Sequence, residues 1–194
     1  MTVRVVGPGE RWERDDPTFV NVTSQSLVKW QTWLSPFKLG PVDLYKGAAL
    51  RTAQNVENAW QFAKVYPRHV GTDGNPTSDY FLWASEGWSS TWAHRYPMGK
   101  GAIPAFSWWG GQALDYISAR KAIYIPLYAG AVRKGDAFVH LKRLHATHGH
   151  VTLWDYDGYD HTKIGMSLED VTNCKERKMG HAFVLAMLLE NHKL

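Results

Sequence analysis

Apolar and polar positions along the chain change period several times, and each change marks an element. Residues 1–50 alternate short apolar runs with Pro and Gly, as in "GPG", "LSPF" and "LGPV", and predict short strands and loops. "NVENAWQFAKVY" (55–66) has helical spacing, and Pro67 ends that helix. "SDYFLWASEGW" (78–88) predicts a second helix with Ser78 as N-cap and Gly87 near its end. "RYPMGKG" (95–101) is a loop, and residues 112–124 predict a helix that Pro126 breaks or kinks. "GDAFVHLKRLHA" is amphipathic, with Phe138, Leu141 and Leu144 toward one face. "HVTLW" is a strand, and "MGHAFVLAMLLENH" is an apolar, buried C-terminal helix. The sum is an α+β, mostly helical single domain over 1–194 with a few short strands. No repeat, low-complexity segment or linker divides it.

Two places break the apolar pattern in ways that bear on chemistry. On the 55–66 helix, Glu57, Gln61 and Lys64 stand at i, i+4 and i+7 and share one face. The remaining positions include Val56, Ala59, Trp60, Phe62, Ala63 and Tyr66, which predicts burial on several sides. The polar stripe is either an ordinary solvent face or the lining of a cleft, where a carboxylate and an amine shift each other's pKa. The second place is "VTLWDYDGYDH" (151–161). It interleaves Asp155, Asp157 and Asp160 with Trp154, Tyr156 and Tyr159. Crowded carboxylates repel and resist burial, whereas aromatics seek it. A turn whose aspartates cap backbone groups accounts for the pattern. So does a carboxylate site with aromatic walls, the combination that cleavage of a glycosidic C–N bond needs. Its oxocarbenium-like transition state is stabilised by an anion while stacking holds the base or sugar.

Composition sharpens this picture at three points. Ten tryptophans and nine tyrosines are enough to fill a core and to build platforms for flat ligands. The net charge of +4 and pI near 9.1 allow a polyanionic partner without requiring one. Cys174 is the only cysteine, so an internal disulfide and a cysteine metal cluster are excluded. The N-terminal residues lack the apolar core of a signal peptide, and the longest apolar run, "AFVLAMLL", is too short to span a bilayer. A cytoplasmic protein is expected, with no membrane association.

Other motifs are weaker. In "RYPMGKGAIPAFSWWGG", Gly99 and Gly101 flank Lys100 near Arg95, without the spacing of a phosphate-binding P-loop. The segment is either a glycine turn or a place where Arg95 and Lys100 meet phosphates. Trp108 and Trp109 are core residues or stacking platforms. The nine histidines contain no HExxH, and no GxSxG elbow occurs. No metal site and no cofactor are expected.

Several of these pieces stand in a familiar order. "NVTSQS…LSPFKLGP…NVENAWQFAK" resembles the N-terminal signature of the NADAR (YbiA-like) N-glycosidase family. "AFVHLKRL…VTLWDYDGYD" resembles that family's short helix followed by a strand ending in acidic residues, and "KMGHAFVLAMLLE" its closing apolar helix. The family's Trp-Gly-x-Gly after the acidic segment is replaced here by "DGYDH". The resemblance spans roughly residues 20–190. It implies cleavage of a C–N bond beside a sugar, with Glu57 and Lys64 as catalytic groups and one of Asp155, Asp157 or Asp160 as a further carboxylate. Substrate contacts are expected from Asn21, Ser35, Phe37, Trp60, Gln61, Trp108, Trp109 and Tyr159. "RYPMGKG", "SWWGG" and "DYDGYDH" further resemble bacterial anti-phage DNA glycosylases that excise glucosylated hydroxymethylcytosine from phage DNA.

The expectation is therefore a DNA glycosylase that flips a modified base into an aromatic pocket and leaves an abasic site, in defence against phage. An aspartate of the 155–160 loop or Glu57 stabilises the sugar cation and directs water. Lys64 orients that carboxylate or attacks C1′ as an amine. Arg95 and Lys100 hold phosphates of the DNA partner. The rivals are a glycohydrolase acting on ADP-ribosylated bases or a free nucleotide, a non-catalytic nucleic-acid-binding module, and a structural protein whose acidic loop is only a turn.

Overall fold

In the computed structural model, which describes residues 2–10 and 15–192, four short strands precede the first α-helix and strands and helices are interspersed after it. In order they are β1 (Thr2–Val6), β2 (Phe19–Asn21), β3 (Val42–Asp43), β4 (Thr52–Ala53), α1 (Val56–Gln61), β5 (Lys64–Val65), α2 (Ser78–Ser89), β6 (Phe106–Trp109), β7 (Gln112–Leu114), α3 (Tyr116–Ala119), α4 (Ile125–Val132), α5 (Asp136–His148), β8 (His150–Trp154), α6 (Leu168–Asn173) and α7 (His181–Leu189). A 3₁₀ turn covers Lys29–Leu34, and a π-helical turn covers Arg120–Tyr124. Helix outweighs strand, and the class is α+β. None of these helices is long and apolar enough to cross a membrane. The described residues form two compact units, one from residues 1–38 and 128–194 and the other from residues 39–127.

The first unit is built on a three-stranded parallel sheet in the order β1-β8-β2. Val5 and Val6 of β1, Val20 of β2 and Leu153 of β8 are fully buried. Parallel strands pair only through long crossovers, and here β1 pairs Thr2 with His150. Helix α7 packs against β1, and α5 packs against β8. Every residue of α7 is buried, as its unbroken apolar sequence predicts. α5 ends at Gly149, whose φ of 75° supplies the left-handed cap that lets the chain turn straight into β8.

The second unit holds the β3–β4 hairpin and an antiparallel sheet in the order β5-β6-β7. Its helices corrected the sequence reading in three places. The 55–66 helix spans only Val56–Gln61, with Asn55 as its N-cap, and Lys64 belongs to β5. Pro67 excludes helical geometry at Tyr66, and the pairing of Lys64 with Ser107 supplies better backbone partners than another helical turn. The 112–124 helix begins at Tyr116, capped by Asp115; residues Gln112–Leu114 are β7. Pro126 does not break the chain's helical path. The π turn before it leads directly into α4, which loosens the backbone where proline removes a hydrogen bond and crowds the preceding turn. A smaller difference is that Thr77, not Ser78, caps α2.

α1 and α2 are held at close range by a glycine. A Cβ at Gly87 would stand 2.0 Å from the Phe62 ring, so only hydrogen fits there. Tyr80 of α2 also donates its buried hydroxyl to the carbonyls of Phe62 and Ala63, at 3.1 and 3.2 Å. Burial pushes the Tyr80 phenol far above its ordinary pKa, so it remains a donor at all working pH. Gly87→Ala is expected to destabilise the protein by about 1–3 kcal/mol through overpacking, read as a lower urea midpoint. An unchanged midpoint would show that α2 can shift away from Phe62 at no cost.

Candidate functional site

In the second unit, the residues after Asn55 assemble a polar chain inside an apolar wall. The side chain of Asn55 accepts the Asn58 N–H at 2.8 Å and starts α1, which places Glu57 in the first turn. A carboxylate there is favoured by the helix dipole. Glu57 and Gln61 lie one turn apart and are both buried. The Gln61 amide donates to Glu57 Oε1 at 2.9 Å, and Lys64 Nζ donates to Gln61 Oε1 at 2.7 Å. The three residues are therefore joined, but not along one helical face. Lys64 reaches back from a strand, and Gln61 relays between cation and carboxylate.

Aromatic rings surround this relay. Lys64 Nζ sits 4.8 Å from the centre of the Trp60 ring. Tyr124 and Tyr116 lie 5.3 and 6.4 Å from Trp60. The Arg120 guanidinium is 4.5 Å above Tyr116, and Arg120 is 2% exposed although its charge is permanent. Tyr116, Arg120 and Tyr124 recur every four residues through the π turn, which packs against α1. Trp60 and Trp109 pack on the same small cluster of Ala63, Ala119 and Ile123. The Trp108 indole hydrogen-bonds Tyr45, whose ring also meets Trp109 edge-on at 5.0 Å.

Arg120, Tyr116 and Tyr124 were not among the residues picked out from the sequence. A signal was present: Arg120 falls beside Ala119 and Ile123 in a helical run that otherwise buries apolar residues. Arg95 and Lys100 lie on the same unit's surface, Arg95 half-buried 5.3 Å from the Tyr96 ring and Lys100 exposed. A surface depression of about 420 Å³ in this unit is lined by residues from Asp43 to Arg51 and includes none of the sequence-predicted residues.

In the first unit, the three aspartates do different things. Asp155 is 4% exposed at the end of β8. Its Oδ2 meets His181 Nδ1 at 3.0 Å and accepts the Ala182 N–H at 3.2 Å, so it caps the start of α7. Gly180 is required there, because a Cβ would come within 2.2 Å of that oxygen. His181 Nε2 lies 2.7 Å from the Val22 carbonyl. A carbonyl and a carboxylate both only accept, so both ring nitrogens carry hydrogen and the ring is an imidazolium. Burial pushes the Asp155 carboxyl up, but the His181 charge and the N–H groups of Ala182 and Asp157 outweigh it and hold it below its ordinary value.

Asp160 is also buried. It accepts from Arg4 Nε at 2.9 Å and Thr162 Oγ1 at 2.8 Å, and Lys163 Nζ is 3.8 Å away. Asp157 is partly exposed, 3.7 Å from Lys178. Asn21 accepts from the Thr23 N–H and hydroxyl, and pairs in register with Trp154. Ser35 is buried at the end of its 3₁₀ turn, where its hydroxyl accepts the Phe37 N–H. Phe37 is half-buried, and Tyr159 packs on Phe183 with Arg177 over its ring. The expected aromatic-walled carboxylate pocket is thus, for Asp155 and Asp160, a set of internal ties. His181 supplies the partner that sequence inspection missed, since a histidine opening an apolar helix carries no spacing signal.

Asp155→Asn is expected to lower stability by about 3–5 kcal/mol, because it leaves the His181 charge buried and unpaired. A carboxyl with a depressed pKa contributes stability above its ordinary value of 3.8 and loses it as pH falls through the folded value. The gap between parent and variant in urea unfolding should therefore close below about pH 3.8. A variant as stable as the parent at neutral pH would refute the ion pair. Comparison of the chain with protein-family models, with curated proteins and with solved structures found no match.

Proposed function

We propose that this protein is an N-glycosidase acting on DNA that carries a modified base, with Glu57 as its principal carboxylate. The observation that carries this reading is the Lys64–Gln61–Glu57 hydrogen-bond chain, buried at Gln61 and Glu57, with Lys64 beside Trp60. It joins an anion, a fixed amide and a cation to a flat apolar surface, which is the equipment that C–N cleavage at a sugar requires. The basic charge balance and the resemblance to NADAR-type enzymes and anti-phage glycosylases support the same reading, with a NADAR-like fold and glucosylated hydroxymethylcytosine as the base.

In this mechanism the target nucleotide leaves the stack and its base lies against the aromatic wall. The C1′–N bond breaks with its electron pair going to the base, which takes up a proton from solvent, balanced by the proton that the attacking water later releases. Glu57 stabilises the cation left on the sugar. Water then adds to C1′ and gives up a proton through Glu57, leaving free base and an abasic deoxyribose. Gln61 fixes the carboxylate, and Lys64 holds the amide in the orientation that does so. Asp155 and Asp160 serve the first unit's architecture, and the chemistry rests on Glu57.

The experiment compares two DNAs of one origin, one with unmodified cytosine and one with glucosylated hydroxymethylcytosine. Abasic sites are counted with an aldehyde-reactive probe, and released base is identified by mass spectrometry. Abasic sites in the modified DNA alone are expected, falling by about 10²-fold or more in Glu57→Gln. Turnover undiminished in Glu57→Gln removes Glu57 from the mechanism. Folded protein that leaves both DNAs intact, and instead cleaves a free nucleotide or an ADP-ribosylated base, moves the same chemistry to that substrate.

A further inference from the structure

The loop between α2 and β6 has an unusual construction. Its backbone is pinned, while its largest side chain faces water. Asn58, fully buried and next to Glu57 on α1, donates to the carbonyls of Ser90 and Trp92 at 2.9 and 2.8 Å. Its own oxygen accepts the His94 N–H at 2.9 Å. Ser90 Oγ accepts the Trp92 N–H at 3.2 Å and lies 3.0 Å from His94 Nε2. The His94 ring meets Phe62 edge-on at 5.6 Å. At the far end, the Ala105 N–H donates to the Val65 carbonyl at 2.8 Å.

On this rigid base Trp92 is 76% exposed, with Tyr96 at 42% and Ile103 at 80%. An indole left in water forgoes one of the largest burial gains available to any side chain. Asn58 fixes the backbone from which this ring projects. Between Glu86 and Asp115 the charged residues have one sign. From Gly87 to Leu114 there is no Asp or Glu, while Arg95 and Lys100 lie within this stretch. The turn carrying Lys100 is open, with Gly99 and Gly101 both at φ 91°.

We infer that this loop is a contact surface for a DNA strand, in which Trp92 stacks on an unstacked base and Arg95 and Lys100 meet the flanking phosphates. An exposed aromatic on a rigid mount, in a segment free of anions, matches the chemistry of a polynucleotide with accessible base faces. A single strand presents a flat base beside every phosphate, whereas an acidic protein offers the charge complement without a ring at each charge and a paired duplex hides its base faces. The inference deepens the reading of the protein as acting on DNA. It adds Trp92 as the group that would fill the stack or hold the strand beside a flipped nucleotide.

The test is equilibrium binding of fluorescein-labelled, unmodified single-stranded DNA, which needs no turnover. Trp92→Ala should weaken binding about 5- to 150-fold with the salt slope unchanged, and Trp92→Phe should retain most of the affinity. Lys100→Ala should reduce the salt slope by about 0.7. Trp33→Ala, which removes a half-exposed tryptophan of the other unit, should leave binding unchanged. Equal affinity of parent and Trp92→Ala, or equal loss in Trp92→Ala and Trp33→Ala, overturns the inference. So does a parent protein that fails to bind single-stranded DNA at low salt, or that poly-glutamate displaces from itself as well as DNA does. Glycosidase activity on DNA with full activity in Trp92→Ala would refute this surface and leave the chemistry standing. Trp92-dependent binding without base release would do the reverse.

Discussion

A carboxylate buried at the end of a central strand has to be neutralised where it stands, and the first unit is organised around that requirement. Asp155 follows β8, the strand that pairs with both β1 and β2. Its charge is met by the His181 ring and by backbone N–H groups at the start of α7. That arrangement sets where α7 begins and demands glycine at position 180. His181 in turn bonds the Val22 carbonyl, one residue beyond β2. One ion pair thus links the central strand, the buried helix and the edge strand. Burial of such a pair is costly unless every remaining donor and acceptor is satisfied, and these are.

Carboxylates in the two units illustrate how burial can serve opposite ends. Asp155 and Asp160 receive their partners from distant parts of the chain, and those partners tie strands, loop and helix together. Glu57 is buried too; it accepts from the Gln61 amide, which in turn accepts from a half-buried lysine beside a tryptophan face. The first kind of setting stabilises a fold. The second lines up a carboxylate, an amide and an ammonium group next to the Trp60 ring. Asn58 adds a connection between architecture and surface, since the helix that carries Glu57 also holds the loop that exposes Trp92.

Local pattern sufficed for several elements. The apolar run of α7, the amphipathic α5 and the strand before Asp155 follow from periodicity, because each buries a continuous or regularly spaced apolar face. The association of Glu57, Gln61 and Lys64 was likewise legible from their spacing. Their geometry was not. A helical repeat places Lys64 two turns from Glu57, whereas β-pairing with Ser107 competes for its backbone and wins. Similarly, Pro126 signals a break or a kink, and the structure shows a π turn at Arg120–Tyr124 running into α4 without a break.

Sequence alone determined the α+β class, the main helices, the lack of a disulfide within the chain and the clustering of carboxylates with aromatics. These depend on composition and on neighbours a few positions apart. Tertiary structure decided which carboxylates became internal ties. Thr2 pairs with His150, Arg4 with Asp160 and Asp155 with His181, and no local spacing encodes any of these meetings. A buried charge takes its role from whatever the folded chain brings to it, and that partner is set by long-range pairing rather than by the residues on either side.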